Sequence, residues 1–119
     1  MSAADKPVLE RSRPRVSVLD FTVDQIVARL AERLRGQVDE AWLFGSVPLG
    51  KAGPWSDLDV VVVTRSERPF IERPLDFPQV FELGVPVDLL VYTPEEFAAL
   101  SESASGFWKG FRQSRQRIV

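Results

Sequence analysis

Apolar residues in this chain fall into short blocks, and the spacing within each block predicts an element. Val23, Ile26, Val27, Leu30 and Leu34 recur at intervals of mostly three and four, with Arg29, Glu32, Arg33 and Arg35 largely on the other side, so the stretch predicts an amphipathic helix. Thr22 can cap that helix while Gln25 reaches back, and Phe21 and Ile26 are placed to close a hydrophobic staple. Gly36 supplies a left-handed stop. Ala41-Trp42-Leu43-Phe44 is an apolar run cut off by Gly45-Ser46, which predicts a buried strand delivering a loop. Leu58 to Thr64, with four consecutive valines, predicts a strand covered on both faces, and Val87 to Tyr92 predicts another.

Between these strands, Pro69, Pro74, Pro78 and Pro86 interrupt every periodic reading, so 65–86 is expected to be loop with a short helical piece near Leu75 to Leu83. Thr93-Pro94-Glu95-Glu96 forms a second capping box, opening a short helix through Leu100. Ser101 to Gly106 reads as a polar linker. After it, Phe107, Trp108 and Phe111 either face a partner or pack a last helical turn or two on the chain's own sheet, and Arg112, Arg115 and Arg117 make a basic end. The order of elements implies an α/β domain around a small sheet. It divides into an N-terminal tail (1–20) that is mobile or orders against the domain, a core (21–105), and a C-terminal aromatic and basic helix with its tail (106–119).

Composition narrows the chemistry. The 119 residues contain no cysteine and no histidine, so disulfides, thiolate nucleophiles, Cys/His zinc sites and histidine acid–base catalysis are excluded. Fifteen basic against 17 acidic side chains give a formal charge of −2, which offers no global field for nucleic acid or an anionic membrane. No apolar run approaches the roughly 18–20 residues of a membrane span and no signal-peptide pattern opens the chain, so the sequence reads as soluble and cytoplasmic. Its length fits one domain.

The chemically informative stretch is GSVPLGKAGPWSDLDV, Gly45 to Val60. Asp57 and Asp59 stand two apart at a strand start, so their carboxylates share a face and can share a hard divalent cation. Asp88 joins them if its strand pairs beside LDVVVVT in the right register, and three such charges need a cation to coexist ionised. Gly45-Ser46 offers a backbone and a hydroxyl that can approach phosphate, while Gly50 and Gly53 keep the connection tight. Each part alone is as consistent with a turn, a cap or a salt-bridged aspartate; a buried cluster of carboxylates beside runs of valine and leucine would be costly without a function.

The spacing G-S-x-x-x-G-x-x-x-x-x-S-D-x-D, met by Gly45, Ser46, Gly50, Ser56, Asp57 and Asp59, resembles the signature of the DNA polymerase beta-like nucleotidyltransferase superfamily, and the small size resembles its minimal branch. The resemblance covers roughly Phe21 to Leu100. It implies a small mixed β-sheet flanked by helices. Asp57, Asp59 and Asp88 would hold two Mg²⁺ ions, with Mn²⁺ as an alternative, and Asp88 would also act as base toward an acceptor hydroxyl. Gly45, Ser46, Gly50, Lys51 and Ser56 would form the phosphate-binding side for ATP or another nucleoside triphosphate. Leu49 replaces an arginine found in many relatives, so a phosphate contact is missing or falls to Lys51; Trp55 either stacks on a base or packs over the loop.

Minimal nucleotidyltransferases resemble the antitoxin half of pairs whose partner is a helical HEPN ribonuclease. The implied reaction is transfer of AMP to a tyrosine of that toxin. Larger relatives add a helical domain, for which this length leaves no room, so a second copy or a different protein would complete the site. The alternative is a catalytically weak module that neutralises its partner by binding. A nucleic-acid-binding role built on the arginine-rich end is disfavoured by the neutral charge balance.

Overall fold

The computed structural model describes residues 16–119; most of the expected N-terminal tail lies outside the described residues. Helix α1 is Val23–Leu34, β1 Glu40–Phe44, β2 Leu58–Val63, β3 Val87–Tyr92, α2 Pro94–Leu100, α3 Gly106–Ser114 and β4 Gln116–Arg117. Among the described residues, four strands form one mixed sheet in the order β3-β2-β1-β4. β1 is antiparallel to β2 and β4, while β2 and β3 are parallel. The domain is therefore α/β, with helices flanking a small mixed sheet.

Local chemistry accounts for the helix starts. The Thr22 hydroxyl accepts from Gln25 N at 3.1 Å and Thr22 N donates to the Gln25 side chain at 2.9 Å, closing the capping box ahead of α1. Thr93 and Glu96 repeat the device at α2, with Pro94 in the first turn. Ser17 and Asp20 form a third, around a 3-10 turn at Val18–Asp20. Gly36, at φ 83°, ends α1 as expected.

The sheet is covered on both faces, which is why β2 can carry four valines. Val60 and Val62 face a core built with Ile26, Leu30 and Leu34 of α1. Val61 and Val63 face a second cluster with Phe44, Trp108 and Phe111. A parallel β2–β3 pair needs a long crossover, and residues 64–86 provide it as two 3-10 segments, Phe70–Asp76 and Pro78–Leu83, instead of the single helical piece expected near Leu75. The prolines there deny an α-helix its hydrogen bonds. Arg73 pins the crossover: its guanidinium donates to Arg68 O, to Val91 O and to both oxygens of Glu96.

The C-terminal segment is more structured than a helical turn or two. α3 spans nine residues and is capped by the Ser105 hydroxyl, and the basic end continues into edge strand β4, which sequence periodicity does not reveal. Trp108, Phe111 and Ile118 are buried, so two of the three aromatics read as possible partner contacts belong to the chain's own core. Phe107 stays 43% exposed.

Candidate active site

Topology brings the aspartates together. β2 leaves the motif loop at Leu58 and runs parallel to β3 in a register that sets Asp59 beside Asp88. Asp57 stands just ahead of the strand, two residues from Asp59, near enough for its charge to act on the Asp59 carboxyl. Asp57 and Asp88 are exposed, whereas Asp59 is half-buried. Burial, then the fields of Asp88 and Asp57, push the Asp59 carboxyl up from 3.8 to about 6. Among the described residues, however, no three acidic side chains converge into a ready-made metal-binding group. The geometry is thus a mutually repelling cluster around Asp59, open to solvent at one end of the sheet. That arrangement suits Mg²⁺, which takes one or two carboxylates and completes its shell with water and phosphate oxygens.

Gly45 abuts this cluster from β1, whose last residue, Phe44, is opposite Asp59. Its φ of 84° is left-handed, and a Cβ built there would collide with the Asp59 carboxylate. Glycine is therefore required twice, by conformation and by close approach. Its N–H is already committed, donating to Ser114 Oγ at 2.8 Å. Residues 46–50 then make one tight turn: Lys51 N donates to Ser46 O at 2.9 Å and Gly50 N to Val47 O at 3.1 Å, a Schellman closure with Gly50 at φ 71°. Val47, buried in the core, anchors the turn. Gly50 thus shapes the turn, while Ser46, half-buried, and Lys51, exposed, both line one groove beside it.

The rest of the loop is tied down. Ser56 Oγ accepts from Gly53 N at 2.8 Å, so its hydroxyl tightens the turn before Asp57. Ser17 Oγ donates to Pro54 O at 2.9 Å, joining the segment ahead of α1 to the motif loop. Trp55 is 56% exposed and Leu49 is 49% exposed.

A family model for the nucleotidyltransferase domain matches residues 23–109, a span that contains Gly45, Ser46, Asp57, Asp59 and Asp88. The chain belongs to the nucleotidyltransferase domain family. Among solved structures, a chain from a toxin–antitoxin crystal structure with AMP-PNP aligns with a TM-score of 0.53 at 19% identity, covering 76% of this chain and 70% of that chain. That likeness shows a shared fold. No curated protein matches by sequence.

Within this nucleotidyltransferase domain, the sequence motif does not reveal what holds the Gly45 turn from behind. Ser114 closes α3 by donating to Gly110 O at 2.8 Å while accepting from Gly45 N. A groove of about 470 Å³ opens between the turn and α3, lined by Ser46, Leu49 and Lys51 on one side and by Gly106, Phe107 and Gly110 on the other. The only sequence signal for it is a pair of glycines four apart in an otherwise aromatic helical stretch. Glycine inside a helix costs about 1 kcal/mol relative to alanine, so Gly110, in the interior of α3, is unfavourable for the helix itself, whereas Gly106 opens its first turn.

Proposed function

We propose that this nucleotidyltransferase transfers a nucleoside monophosphate, AMP from ATP, to a hydroxyl of a partner protein in an Mg²⁺-dependent reaction. The observation that carries the reading is Asp59, set in register beside Asp88, preceded by Asp57 and pressed against Gly45, inside a nucleotidyltransferase domain. Asp57, Asp59 and Asp88 are the groups that would hold the metal. When bound, divalent ions polarise the α-phosphate and neutralise charge on the leaving pyrophosphate.

The chain's own residues divide the remaining work. Ser46 and Lys51 grip the phosphate chain, with Ser56 and Gly50 fixing the loop that presents them. Gly45 lets the backbone reach the carboxylate, and Ser114 holds it there. Asp88 accepts the proton of the acceptor hydroxyl. The acceptor oxygen then bonds to the α-phosphorus as the bond to the bridging oxygen breaks, and pyrophosphate leaves. No charge imbalance has to be carried by histidine or cysteine, neither of which the chain has.

The structural neighbour is part of a toxin–antitoxin assembly with an adenine nucleotide analogue, which supports ATP as the donor and an antitoxin role for this chain. The acceptor proposed is a tyrosine of a helical HEPN-type toxin, which would also cover the open carboxylate end. A second reading, neutralisation by binding alone, is favoured by exposed Leu49 where an arginine would reach phosphate.

The deciding experiment incubates the protein and its partner with α-labelled ATP and Mg²⁺. Label should move to the partner and be lost in Asp57→Asn and in Asp59→Asn, each with an unchanged circular dichroism spectrum. Transfer that survives both substitutions would overturn the mechanism. Folded variants that stop transferring yet still neutralise the partner would support the second reading.

A further inference from the structure

We infer that Ser17, ahead of α1, is a positioning residue for Asp57: its buried hydroxyl holds the end of the motif loop from which Asp57 is presented. The inference rests on the proposed metal-dependent transfer at Asp57, Asp59 and Asp88.

Ser17 is 1% exposed, and its hydroxyl is used twice, accepting from Leu19 N at 3.2 Å and donating to Pro54 O at 2.9 Å. Its own backbone is fixed by Asp20, whose carboxylate accepts from Ser17 N at 2.9 Å and whose N–H donates to Ser17 O at 3.0 Å. Val18, buried in the core, fastens the same turn to the domain. The donor aimed at Pro54 is therefore locked before it bonds, which is what a group that orients another residue requires.

Pro54 lies inside a turn closed by two bonds, from Ser56 N to Gly53 O at 3.1 Å and from Gly53 N to Ser56 Oγ at 2.8 Å. Both join residues 53 and 56, so they close the turn without fixing where it sits. The Ser17 bond ties it to the segment ahead of α1. Beyond Asp57, Leu58 N donates to Pro86 O at 2.9 Å. Asp57 thus stands between two tethers, one at Pro54 and one at Leu58. Removing the first loosens Asp57 selectively, because Asp59 and Asp88 keep their register through β2 and β3.

Burial makes the same point. Among the described residues the buried polar or charged side chains are Ser17, Arg73, Ser101 and Ser114. Two of them place a hydroxyl on the main chain of the motif loop, Ser17 at Pro54 and Ser114 at Gly45. Both lie outside residues 23–109, the span that the nucleotidyltransferase model matches. The loop is gripped at its two ends from the flanks of the domain, which is why the motif alone does not reveal the grip.

The test measures Mn²⁺ affinity by electron paramagnetic resonance, up to millimolar concentrations, for Ser17→Ala and Ser17→Cys, each in the parent and in an Asp57→Asn background, with thermal melts to verify folding. Cysteine keeps the volume of the buried side chain but is a weak donor, so it decides the matter where Ser17→Ala does not fold. We expect loss of the Ser17 hydroxyl to weaken Mn²⁺ about fivefold or more when Asp57 is present and less than twofold when it is Asn, because no carboxylate is then left to position. Such non-additivity marks one residue acting through another. A serine that only supports the fold would weaken Mn²⁺ by the same factor in both backgrounds, and that result overturns the inference. So does a loss below fivefold in the parent background. A parent chain that binds no Mn²⁺ overturns the metal-dependent reading itself, and the two failures are thereby told apart.

Discussion

Gly45 shows how far one residue's conformation can govern a reactive centre. Its left-handed φ is shared with Gly50, but only at Gly45 does the missing Cβ make space for the Asp59 carboxylate. Substituting alanine should therefore separate the two effects. Gly50→Ala is expected to cost about 1 kcal/mol of backbone strain. Gly45→Ala should cost about 1–3 kcal/mol in urea unfolding, because the carboxylate must also shift, and should abolish transfer. Equal costs at the two sites would show that Asp59 does not depend on the close approach. Asp59 carries a second expectation. Its folded-state pKa of about 6 lies above the ordinary 3.8, so the folded chain holds that proton more tightly than the unfolded one. The advantage is whole below about pH 3.8 and is lost as pH rises through about 6, damped by the solvent that reaches a half-buried group. Melting temperature in the absence of divalent ions should thus contain a component that falls from pH 4 to 7. Asp59→Asn should remove that component, and an identical profile in the variant would contradict the shift.

At the scale of elements, legibility followed how local the cause was. The boxes at Thr22 and Thr93, the Gly36 stop and the doubly covered valine strand were readable because each depends on neighbours a few residues away. β3 has the bounds its sequence predicts for the same reason, and the β2–β3 register sets Asp88 beside Asp59, the pairing the motif requires. β4 has no signature in the sequence, because two residues of edge strand carry no periodicity and are defined by their pairing with Trp42 and Leu43. The Ser114 latch was hidden likewise, since its partner Gly45 is 69 residues away in sequence. The crossover departs from the single helical piece that the sequence predicts because its prolines split it into two 3-10 segments and a buried arginine anchors it. Arg73, with a side chain only 9% exposed, bonds two main-chain carbonyls as well as Glu96. Removing it leaves those carbonyls and the carboxylate short of partners, so Arg73→Met should cost about 2–4 kcal/mol. Glu96→Gln should cost less, because Glu96 is more exposed and the carbonyl bonds survive. Its contribution has a pH signature of its own. The hydrogen bond from Arg73 holds the Glu96 carboxyl below its ordinary value, so this stabilisation is present above that value and is lost as acid protonates the folded form. Equal destabilisation by the two substitutions would mean that the ion pair, not the carbonyl bonds, fixes the crossover.

For the whole molecule, the two faces of the sheet have different tasks. One face packs on α1 and the crossover and builds the core in which Val47 anchors the motif turn. The other packs on α3, and Val61, Val63 and Phe44 in its core share that face with Asp59. The residues after Ser105 are consequently both core and active-site wall: Phe111 is fully buried, Ile118 reaches the opposite core, and Ser114 grips the Gly45 turn. Truncation after Ser105, which a pure partner-binding surface would tolerate in the isolated chain, should here abolish cooperative thermal unfolding, since it uncovers one whole face of β2. Because such a variant reports only collapse, Phe111→Ala is the informative companion. It should lower stability by about 3–5 kcal/mol and, where it remains folded, reduce ATP transfer through a loosened groove wall rather than through the metal site. Mn²⁺ affinity in that variant should stay near that of the parent, because Asp59 and Asp88 are paired in the β2–β3 register and Asp57 directly precedes β2. A truncated chain that still melts cooperatively would detach α3 from the core and, with it, the account of how the Gly45 turn is held.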